Sequence, residues 1–523
     1  MKVSHLVIGS VIGAVAIQAV GAKLVGNSVE AGVRRTVQMY SEQARFPIEV
    51  SNFEGGWFSS AFDVRMPIPA AFVEPLAKIG IVINAGESGA YFDYATSIKH
   101  GPVIFDNGIH FSAAHASGTG SIELDEMIDK AIAKEEDADV QEVLKTLKPQ
   151  LARLMDTLQS TYTIDVAFNG DVLFSAAMNG GTSSIKNFPE KEKMESLTFD
   201  IGSATSSWKL EGAADKAHTN AQWDGLDVSL AFKDGGHTKV TMGAINMHAE
   251  TSRLGEGLWG GSANASIKSI GGYGTVEGKP FDMRVDKITM ASDTQASEAA
   301  GNMIGASVKM AMHDIKIEAN GGKLFFDNFI TEFDIQNMLL PLLEAEAEMA
   351  RNTWLSAAKD EPDSEPFAFL QSPEFSDTID HQLQASPRIN LTDYKVIANG
   401  EDVGLSGFMQ LIPGASFASL QEGSTIWPFL DGEMAFRLSP SMIKAISFNT
   451  MQMSERAMPQ EQIDQMVDLQ IDQYQQMGLI TPEGDNFISN IKIANDILSV
   501  NGKPMAQISQ AMAAAQPTPE AVE

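Results

Sequence analysis

The chain has no cysteine among its 523 residues. Disulfide bonds, zinc–thiolate sites, cysteine-ligated iron–sulfur clusters and cysteine nucleophiles are therefore excluded. Basic side chains are also scarce: 37 Lys and Arg stand against 68 Asp and Glu, which leaves a formal net charge of −31. A surface this negative repels nucleic acid phosphates and anionic lipid headgroups, so the sequence argues against both as direct partners.

Short catalytic and cofactor-binding motifs are missing as well. The sequence contains no HExxH, no GxSxG, no GxxxxGK[ST] and no GxGxxG between a strand and a helix. We therefore predict no catalytic residue, no metal ligand and no cofactor. The acidic run at 135–139 lacks the glycine and the spacing of a calcium loop, and we interpret it as a solvated helix linker.

Only one long apolar run is present, and it extends from Leu6 to Ala22. Its seventeen residues lie at the short end of what a membrane-spanning helix needs, about 17–25. A cleaved secretory signal is the alternative, with Lys2 as the positive start and Val20-Gly21-Ala22 as the cleavage site. We favour the uncleaved anchor, because the run is long for a signal and helical spacing continues beyond it.

The remaining sequence predicts an α+β fold, in which the N-terminal transmembrane helix is followed by a long curved, mainly antiparallel β-sheet with helical insertions. Turn pairs such as Asn169-Gly170, Asp234-Gly235, Asn320-Gly321 and Asn399-Gly400 separate alternating segments, as in β-hairpins. The predicted parts are an anchor at 1–23, a helical continuation at 24–45, an exported β-rich region at 46–508 with helical insertions near 124–158, 336–384 and 440–478, and a flexible tail at 509–523.

Three local irregularities refine this prediction. The alternation slips near Ala244-Ile245 and near His313-Asp314, as a β-bulge requires. Pro149 lies inside a helical pattern and predicts a kink or a break there. Residues 92–100 and 103–115 are predicted to form a strand pair around Gly101-Pro102 and Asn107-Gly108.

A set of methionines in the predicted strands has two interpretations. Together with the predicted curvature, they indicate a groove for an acyl chain or another elongated apolar ligand, because methionine adapts to irregular apolar shapes. Alternatively they fill a core beneath the helices, which we favour, since apolar stripes more often belong to a core. The residues are Met242, Met247, Met290, Met310 and Met312.

Three short passages carry candidate residues, and each has a structural interpretation that we prefer. His100 before Gly101-Pro102 could be a base or a ligand, but such a histidine more often bonds a turn carbonyl. Trp57-Phe58 could form an exposed contact, but a strand that buries its aromatics after a turn is commoner. The run from Asn501 to Pro504 could bind an anion through its lysine, but a turn whose proline ends the last strand is commoner.

The same passages resemble a known family. GGWFSSAF (55–62), IKHGPVIF (98–105) and Tyr474-x3-Gly478 followed by ILSVNGKPM (497–505) are similar to the YdgA-like proteins of Gram-negative envelopes. The resemblance implies an inner-membrane anchor, a periplasmic domain and an unknown biochemical function, without catalytic residues to carry over. The motif residues are Gly56, Trp57, Phe58, Ser59, Ser60, His100, Gly101, Pro102, Asn501, Gly502, Lys503 and Pro504.

We therefore expect a non-enzymatic, single-pass inner-membrane protein whose C-terminal region lies in the periplasm and binds an apolar ligand or an envelope protein partner. The alternative is a hydrolase whose site is assembled from distant residues. The expected partners are the inner membrane, through residues 6–22, and a lipid or an envelope protein, but not nucleic acid. The sequence leaves the oligomeric state open, a homo-oligomer included.

The anchor can be tested directly. The protein should stay in the membrane pellet after carbonate extraction and be released by detergent. Replacing Gly13 by Arg should raise the free energy of insertion by about 2.5–3.5 kcal/mol, because it places a charge near the centre of the span. A soluble mature protein that begins at Lys23 would contradict the anchor.

Overall fold

The structure, a computed structural model, describes residues 34, 49–56, 59–67, 91–100, 103–105, 109–134, 138–186, 188, 194–211, 215–255, 258–276, 278–296, 303–344, 373–417, 426–454 and 458–507. These residues form mostly antiparallel strands with a few helices. They divide into two compact units, the first within residues 1–253 and 348–366, the second within 254–347 and 367–523.

The predicted membrane anchor and flexible tail lie outside the described residues, as does the helical continuation apart from Arg34. Within the described ranges, every helix is too short or too polar to cross a membrane.

The first unit is built from short antiparallel strands. In its described part they are β1 (Glu49–Gly55), β2 (Ser59–Pro67), β3 (Tyr91–His100), β4 (Ile104–Phe105), β5 (Ile109–His110), β6 (Ala114–Glu123), β7 (Ser160–Val166), β8 (Val172–Met178), β9 (Gly181–Lys186), β10 (Met194–Ile201), β11 (Ala204–Glu211), β12 (Lys216–Trp223), β13 (Leu226–Phe232), β14 (His237–Met242) and β15 (Ile245–Gly255). One ladder runs β1-β2-β3-β6-β7-β8-β11-β12-β15, and another runs β9-β10-β13-β14.

The prediction that 103–115 pairs as a whole with 92–100 was wrong. Ile104 pairs with His110 and Phe105 with Ile109, so the segment folds back on itself as a two-stranded ribbon. The strand that pairs with β3 is β6, which begins only at Ala114.

In four places in the first unit, two consecutive strands form one longer strand that is kinked at a glycine. The pairs β8/β9, β10/β11, β12/β13 and β14/β15 are each interrupted by two residues. Neighbouring kinks bond each other, since Gly202 N donates to Gly225 O at 2.8 Å and Asp224 N donates to Ser203 O at 2.9 Å. The slip predicted at 244–245 is such a kink. It is not a β-bulge, because Leu226↔Met242 and Trp223↔Ile245 keep one register.

One face of the first unit's larger ladder carries its core. The buried residues alternate along the strands and are Phe62, Val64, Tyr94, Ile98, Ala114, Ala116, Tyr162, Ile164, Val166, Val172 and Phe174. Tyr94 and Tyr162 meet edge to face, and the Tyr162 hydroxyl and Thr96 Oγ1 lie 2.5 Å apart. Burial raises the pKa of both phenols, so they remain neutral hydrogen-bonding groups.

The predicted insertion at 124–158 forms two helices, α1 (Asp125–Lys134) and α2 (Ala138–Thr157). Helix α2 continues through Pro149, so of the predicted kink or break the break is wrong. The missing N–H of a proline removes only one hydrogen bond. In the same turn, Gln150 Nε2 donates to Thr146 O at 2.9 Å.

The second unit has longer strands. In its described part they are β16 (Leu258–Ile267), β17 (Ile270–Val276), β18 (Lys279–Ala296), β19 (Met303–Ala319), β20 (Gly322–Leu339), β21 (Arg388–Ala398), β22 (Glu401–Leu411), β23 (Leu430–Leu438), β24 (Thr481–Glu483), β25 (Asn486–Ala494), β26 (Ile497–Val500) and β27 (Lys503–Gln507). Strands β16 and β17 both pair with β18, and the ladder continues β18-β19-β20-β21-β22-β23-β25-β26-β27, with β24 also on β25.

The helices α3 (Pro373–Gln384), α4 (Pro440–Met453) and α5 (Gln460–Gln476) accompany this sheet. Residues 340–344 are also helical, and a short 3-10 helix covers Trp427–Phe429. The insertion predicted at 440–478 is confirmed. At 336–384, however, residues 336–339 belong to β20, because Gln336 pairs with Arg388 and Leu339 with Met303.

The glycine kinks generate a prediction about stability. A side chain at Gly225 (φ +114) would place its Cβ 2.2 Å from Met242 O, whereas one at Gly235 (φ +85) would meet nothing within 4 Å. Gly235→Ala should cost only the backbone penalty, about 1–2 kcal/mol. Gly225→Ala should cost roughly 1–3 kcal/mol more, because the crowded carbonyl must move. Urea unfolding measures both, and equal losses would contradict the role of the kink.

Candidate functional site

Strand pairing sorts the side chains of the second unit onto two faces, because successive residues of a strand point to opposite sides. Met290 pairs with Met310, Met310 with Thr331, Thr331 with Tyr394 and Tyr394 with Leu405. The set that shares this face, here named the apolar face, comprises Ile288, Met290, Val308, Met310, Met312, Phe329, Phe333, Ile335, Ile389, Leu391, Tyr394, Val396, Val403, Leu405, Met409, Met434 and Phe436.

The opposite face carries the charges. Lys309 Nζ lies 2.7 Å from Glu332 Oε2, and Lys395 Nζ lies 2.9 Å from Asp393 Oδ2. Arg388 Nε donates to Asn390 Oδ1 at 2.6 Å. The sheet is therefore amphipathic across its thickness, with apolar side chains on one face and charged side chains on the other.

Large side chains remain open to solvent on the apolar face. Ile389 is 50 % exposed, Met290 48 %, Tyr394 44 % and Met409 37 %. Isolated exposed apolar side chains are ordinary, but several on one contiguous, uncharged surface indicate a binding site. Met290, Met310 and Met312, identified from the sequence, lie on this face; Met242 and Met247 belong to the first unit.

Helix α4 covers one end of this surface. Lys323 N donates to Asn449 Oδ1 at 3.1 Å, and Asn320 Nδ2 donates to Met453 O at 3.0 Å. At the start of the helix, Ser439 and Ser441 donate hydroxyl hydrogen bonds to Glu401, which lowers the pKa of that carboxyl. Helix α5 then packs on α4 through Ile463, Val467 and Ile471. Met466 and Tyr474 of α5 are about half exposed.

Helix α3 packs at the other end of β20. Gln382, itself buried, accepts a hydrogen bond from Leu339 N at 2.7 Å and donates one to Asn337 O at 2.9 Å. The two helices thus bind opposite ends of the long strand β20. The exposed residues of the apolar face lie along the strands between these ends.

The slip predicted near His313-Asp314 is a left-handed kink. Asp314 has φ +51, while Lys287↔His313 and Val285↔Ile315 keep one register on either side of it. The apolar positions of β19 change from even to odd numbers there, as in Met312 and Ile315. A bulge that shifts register occurs instead in β21, between Leu391 and Tyr394.

The C-terminal motif residues are brought together as a structural unit. Asn501 N donates to Asn490 O, Asn490 N donates to Asn501 Oδ1, and Asn501 Nδ2 donates to Gly478 O at 3.0 Å. Gly502 adopts φ +77, and Lys503 Nζ would lie 2.7 Å from a Cβ at Gly478. Pro504 does not end the last strand as predicted, because it lies within β27 and pairs with Ser499.

The first N-terminal motif forms the turn between β1 and β2, where Gly56 N donates to Ser59 O at 2.6 Å. Ser60 is buried, and its Oγ has no hydrogen-bond partner in the described chain. Trp57 and Phe58 lie outside the described residues, so the aromatic prediction stays a prediction.

The second N-terminal motif follows β3. His100 ends this strand opposite Ala114, and Gly101 and Pro102 lie outside the described residues. The structure does not bring the motif at the end of the chain together with either N-terminal motif within one unit.

Sequence reasoning missed a pair formed by a buried histidine and an aspartate in the first unit. His115 is 4 % exposed, and its Nδ1 lies 2.8 Å from Asp165 Oδ1. The two residues face each other across β6 and β7. Their alternation with apolar neighbours was visible in the sequence, but only the strand register pairs them.

The comparisons place the chain in a family. A family described as bacterial protein of unknown function, DUF945, matches residues 1–507. The chain belongs to the DUF945 family. No curated protein and no solved structure matches it.

Two asparagines in hairpin turns allow a test of the C-terminal motif of this DUF945 chain. Asn501 and Asn495 both adopt positive φ, but only Asn501 links three segments through its side chain. Asn501→Ala should lower the free energy of unfolding by about 1–3 kcal/mol beyond the loss from Asn495→Ala, because Asn490 N and Gly478 O lose their partner. Thermal unfolding of the two variants measures the difference. Equal melting temperatures would contradict the structural role of the Asn501 side chain.

Proposed function

We propose that this DUF945 chain is a membrane-anchored protein of the bacterial envelope, non-enzymatic, which holds an elongated apolar ligand on the apolar face of its second unit. The acyl chain of a lipid is the ligand class that we favour. The observation that carries the proposal is the exposure of Met290, Ile389, Tyr394 and Met409 on one uncharged face.

The dimensions of the apolar face support an acyl chain. Apolar residues continue on it from β18 to β23, and Ile491 of β25, which pairs with Met434, extends it to a seventh neighbouring strand. At about 4.8 Å between strands, the surface extends roughly 29 Å across the sheet. This is close to the hydrocarbon thickness of a bilayer, about 30 Å, and hence to two acyl chains end to end.

The chemistry of the surface points the same way. Methionine side chains are flexible and polarizable, so Met290, Met310 and Met409 can follow a chain whose shape varies. A folded protein partner would need a rigid complementary surface and polar contacts at the rim. The formal charge of −31 repels anionic headgroups, which favours a neutral or zwitterionic lipid.

The cellular setting rests on the sequence. The apolar run from Leu6 to Ala22 supports an inner-membrane anchor, and the resemblance to YdgA-like proteins supports a periplasmic location for the rest. A domain held beside a bilayer has lipid as its most abundant apolar ligand.

The hydrolase alternative has one observation in its favour, the pair of His115 and Asp165. A histidine oriented by a carboxylate is the arrangement that activates serine nucleophiles. The His115 side chain is 96 % buried, however, so a substrate in solvent reaches it poorly. The exposed side chains of the apolar face are accessible to a ligand without any rearrangement of the chain. We therefore favour ligand binding over hydrolysis.

A matched pair of double variants tests the proposal. Met290→Glu with Met409→Glu places two charges on the apolar face, and Thr289→Glu with Gln410→Glu places two at neighbouring positions on the opposite face. The first should reduce co-purified lipid at least tenfold, because a buried carboxylate next to an acyl chain is costly. The second should bind as the parent does.

Native mass spectrometry and lipid extraction of the detergent-purified full chain provide the measurement. Capture of a second copy of the chain or of an envelope protein in place of lipid would contradict the acyl-chain assignment. So would equal lipid content in both variants.

A further inference from the structure

The first unit has a cavity of about 420 Å³ on the polar side of its larger ladder, and this cavity contains no charged side chain. Its lining consists of one triplet from each of four neighbouring strands, namely residues 161–163 of β7, 175–177 of β8, 205–207 of β11 and 220–222 of β12. Its volume lies within the range of small-molecule sites, about 300–1,000 Å³. One fifth of the chain is charged, so a neutral lining over four strands is a distinct feature.

Strand register arranges the polar side chains of the cavity in two rows across the strands. Thr161, Ala177, Thr205 and Gln222 face one another in the first row, and Thr163, Ser175, Ser207 and Asn220 in the second. Thr161, Thr205, Gln222 and Asn220 are exposed. The rows therefore offer five hydroxyls at the regular spacing of strands, about 4.8 Å. The two carboxamides already have one partner each, because Asn220 Oδ1 lies 2.7 Å from His248 Nδ1 and Gln222 Nε2 donates to Asp224 Oδ1 at 3.3 Å, so each has only its other polar atom left for a ligand.

The hydroxyls of the two rows are available to a ligand. Within the described part of the chain, no hydrogen bond is made by the side chains of Thr161, Thr163, Ser175, Thr205 or Ser207. Each hydroxyl can donate one hydrogen bond and accept two. The main-chain groups beneath them are engaged in the ladder, so they do not compete for these side chains.

The lining excludes several ligand classes. It lacks the cations that hold phosphates or carboxylates, and it lacks the large apolar side chains that hold an acyl chain on this face. An extended peptide would need an open strand edge, but β7, β8, β11 and β12 are each paired on both sides. What remains is a neutral ligand that both donates and accepts many hydrogen bonds.

We propose that this cavity binds a neutral oligosaccharide, whose hydroxyls match the two rows of hydroxyl and carboxamide side chains. The site is separate from the apolar face of the second unit and does not depend on the function proposed for it. Because the lining provides no exposed aromatic ring for stacking, binding rests on many weak hydrogen bonds.

A second cavity shows the direction in which a longer chain would continue. It measures about 480 Å³, and its lining includes Thr119, which pairs with Thr161 of the first cavity. It also contains Arg65 and Asp93, joined by two hydrogen bonds of 2.7 Å. The two cavities therefore adjoin along one face, from β12 to β1, and the proposed ligand lies across the strands.

The experiment titrates neutral hexasaccharides into the full chain, purified in a detergent without a sugar headgroup. Chitohexaose and maltohexaose are the probes, and isothermal titration calorimetry is the readout. The test variant is Thr161→Val with Thr205→Val, which removes two exposed hydroxyls and preserves shape. The matched control is Thr289→Val with Thr392→Val, in strands of the second unit.

The parent and the control should bind at least one probe in the millimolar range or tighter, and the test variant should bind it about tenfold more weakly. The proposal is overturned if neither probe binds below about 10 mM, or if the test variant binds as well as the parent. It is also overturned if the control loses as much affinity. Lipid content should be the same in all three proteins, so failure here leaves the function proposed for the second unit untouched.

Discussion

Hydrogen bonding between antiparallel neighbours determines which side chains share a surface throughout this chain. Because successive residues of a strand point to opposite sides, each ladder has two chemically independent faces. In the first unit one face forms a buried core around Ile98 and Ile164. In the second unit the corresponding apolar side stays partly open, with Ile389 half exposed. The same ladder geometry thus produces a buried core in one unit and a partly exposed apolar surface in the other.

Much of the architecture could be predicted from the sequence, because hairpin turns and the spacing of apolar residues in helices are local signals. Asn320 and Gly321 both adopt positive φ, as the turn prediction requires, and α4 and α5 occupy the predicted insertion. The boundary at Gln336 was missed because a strand and an amphipathic helix both accept a short apolar run. Only its pairing with Arg388 decides between them.

The candidate site was partly predictable. Its methionines Met290, Met310 and Met312 were identified because they occur in predicted strands. Ile389, Tyr394 and Met409 could not be assigned to the same surface from sequence alone. Their common face depends on registers that include a bulge between Leu391 and Tyr394. His115 and Asp165 show the same limit, since they are fifty residues apart in sequence and two helices lie between their strands along the chain. Long-range register has no local signature, whereas turns do.

The order of the strands has a consequence for how the chain assembles. From β18 to β22, each strand pairs with the strand that precedes it and the one that follows it. Contacts in such a meander are close in sequence, and low contact order accelerates folding. Each new hairpin can add to an existing edge as the chain is synthesised from its N-terminus. The strand at the growing edge then has unpaired N–H and C=O groups that can pair with another chain. It is protected from such pairing only when the next strand of the same chain pairs with it quickly.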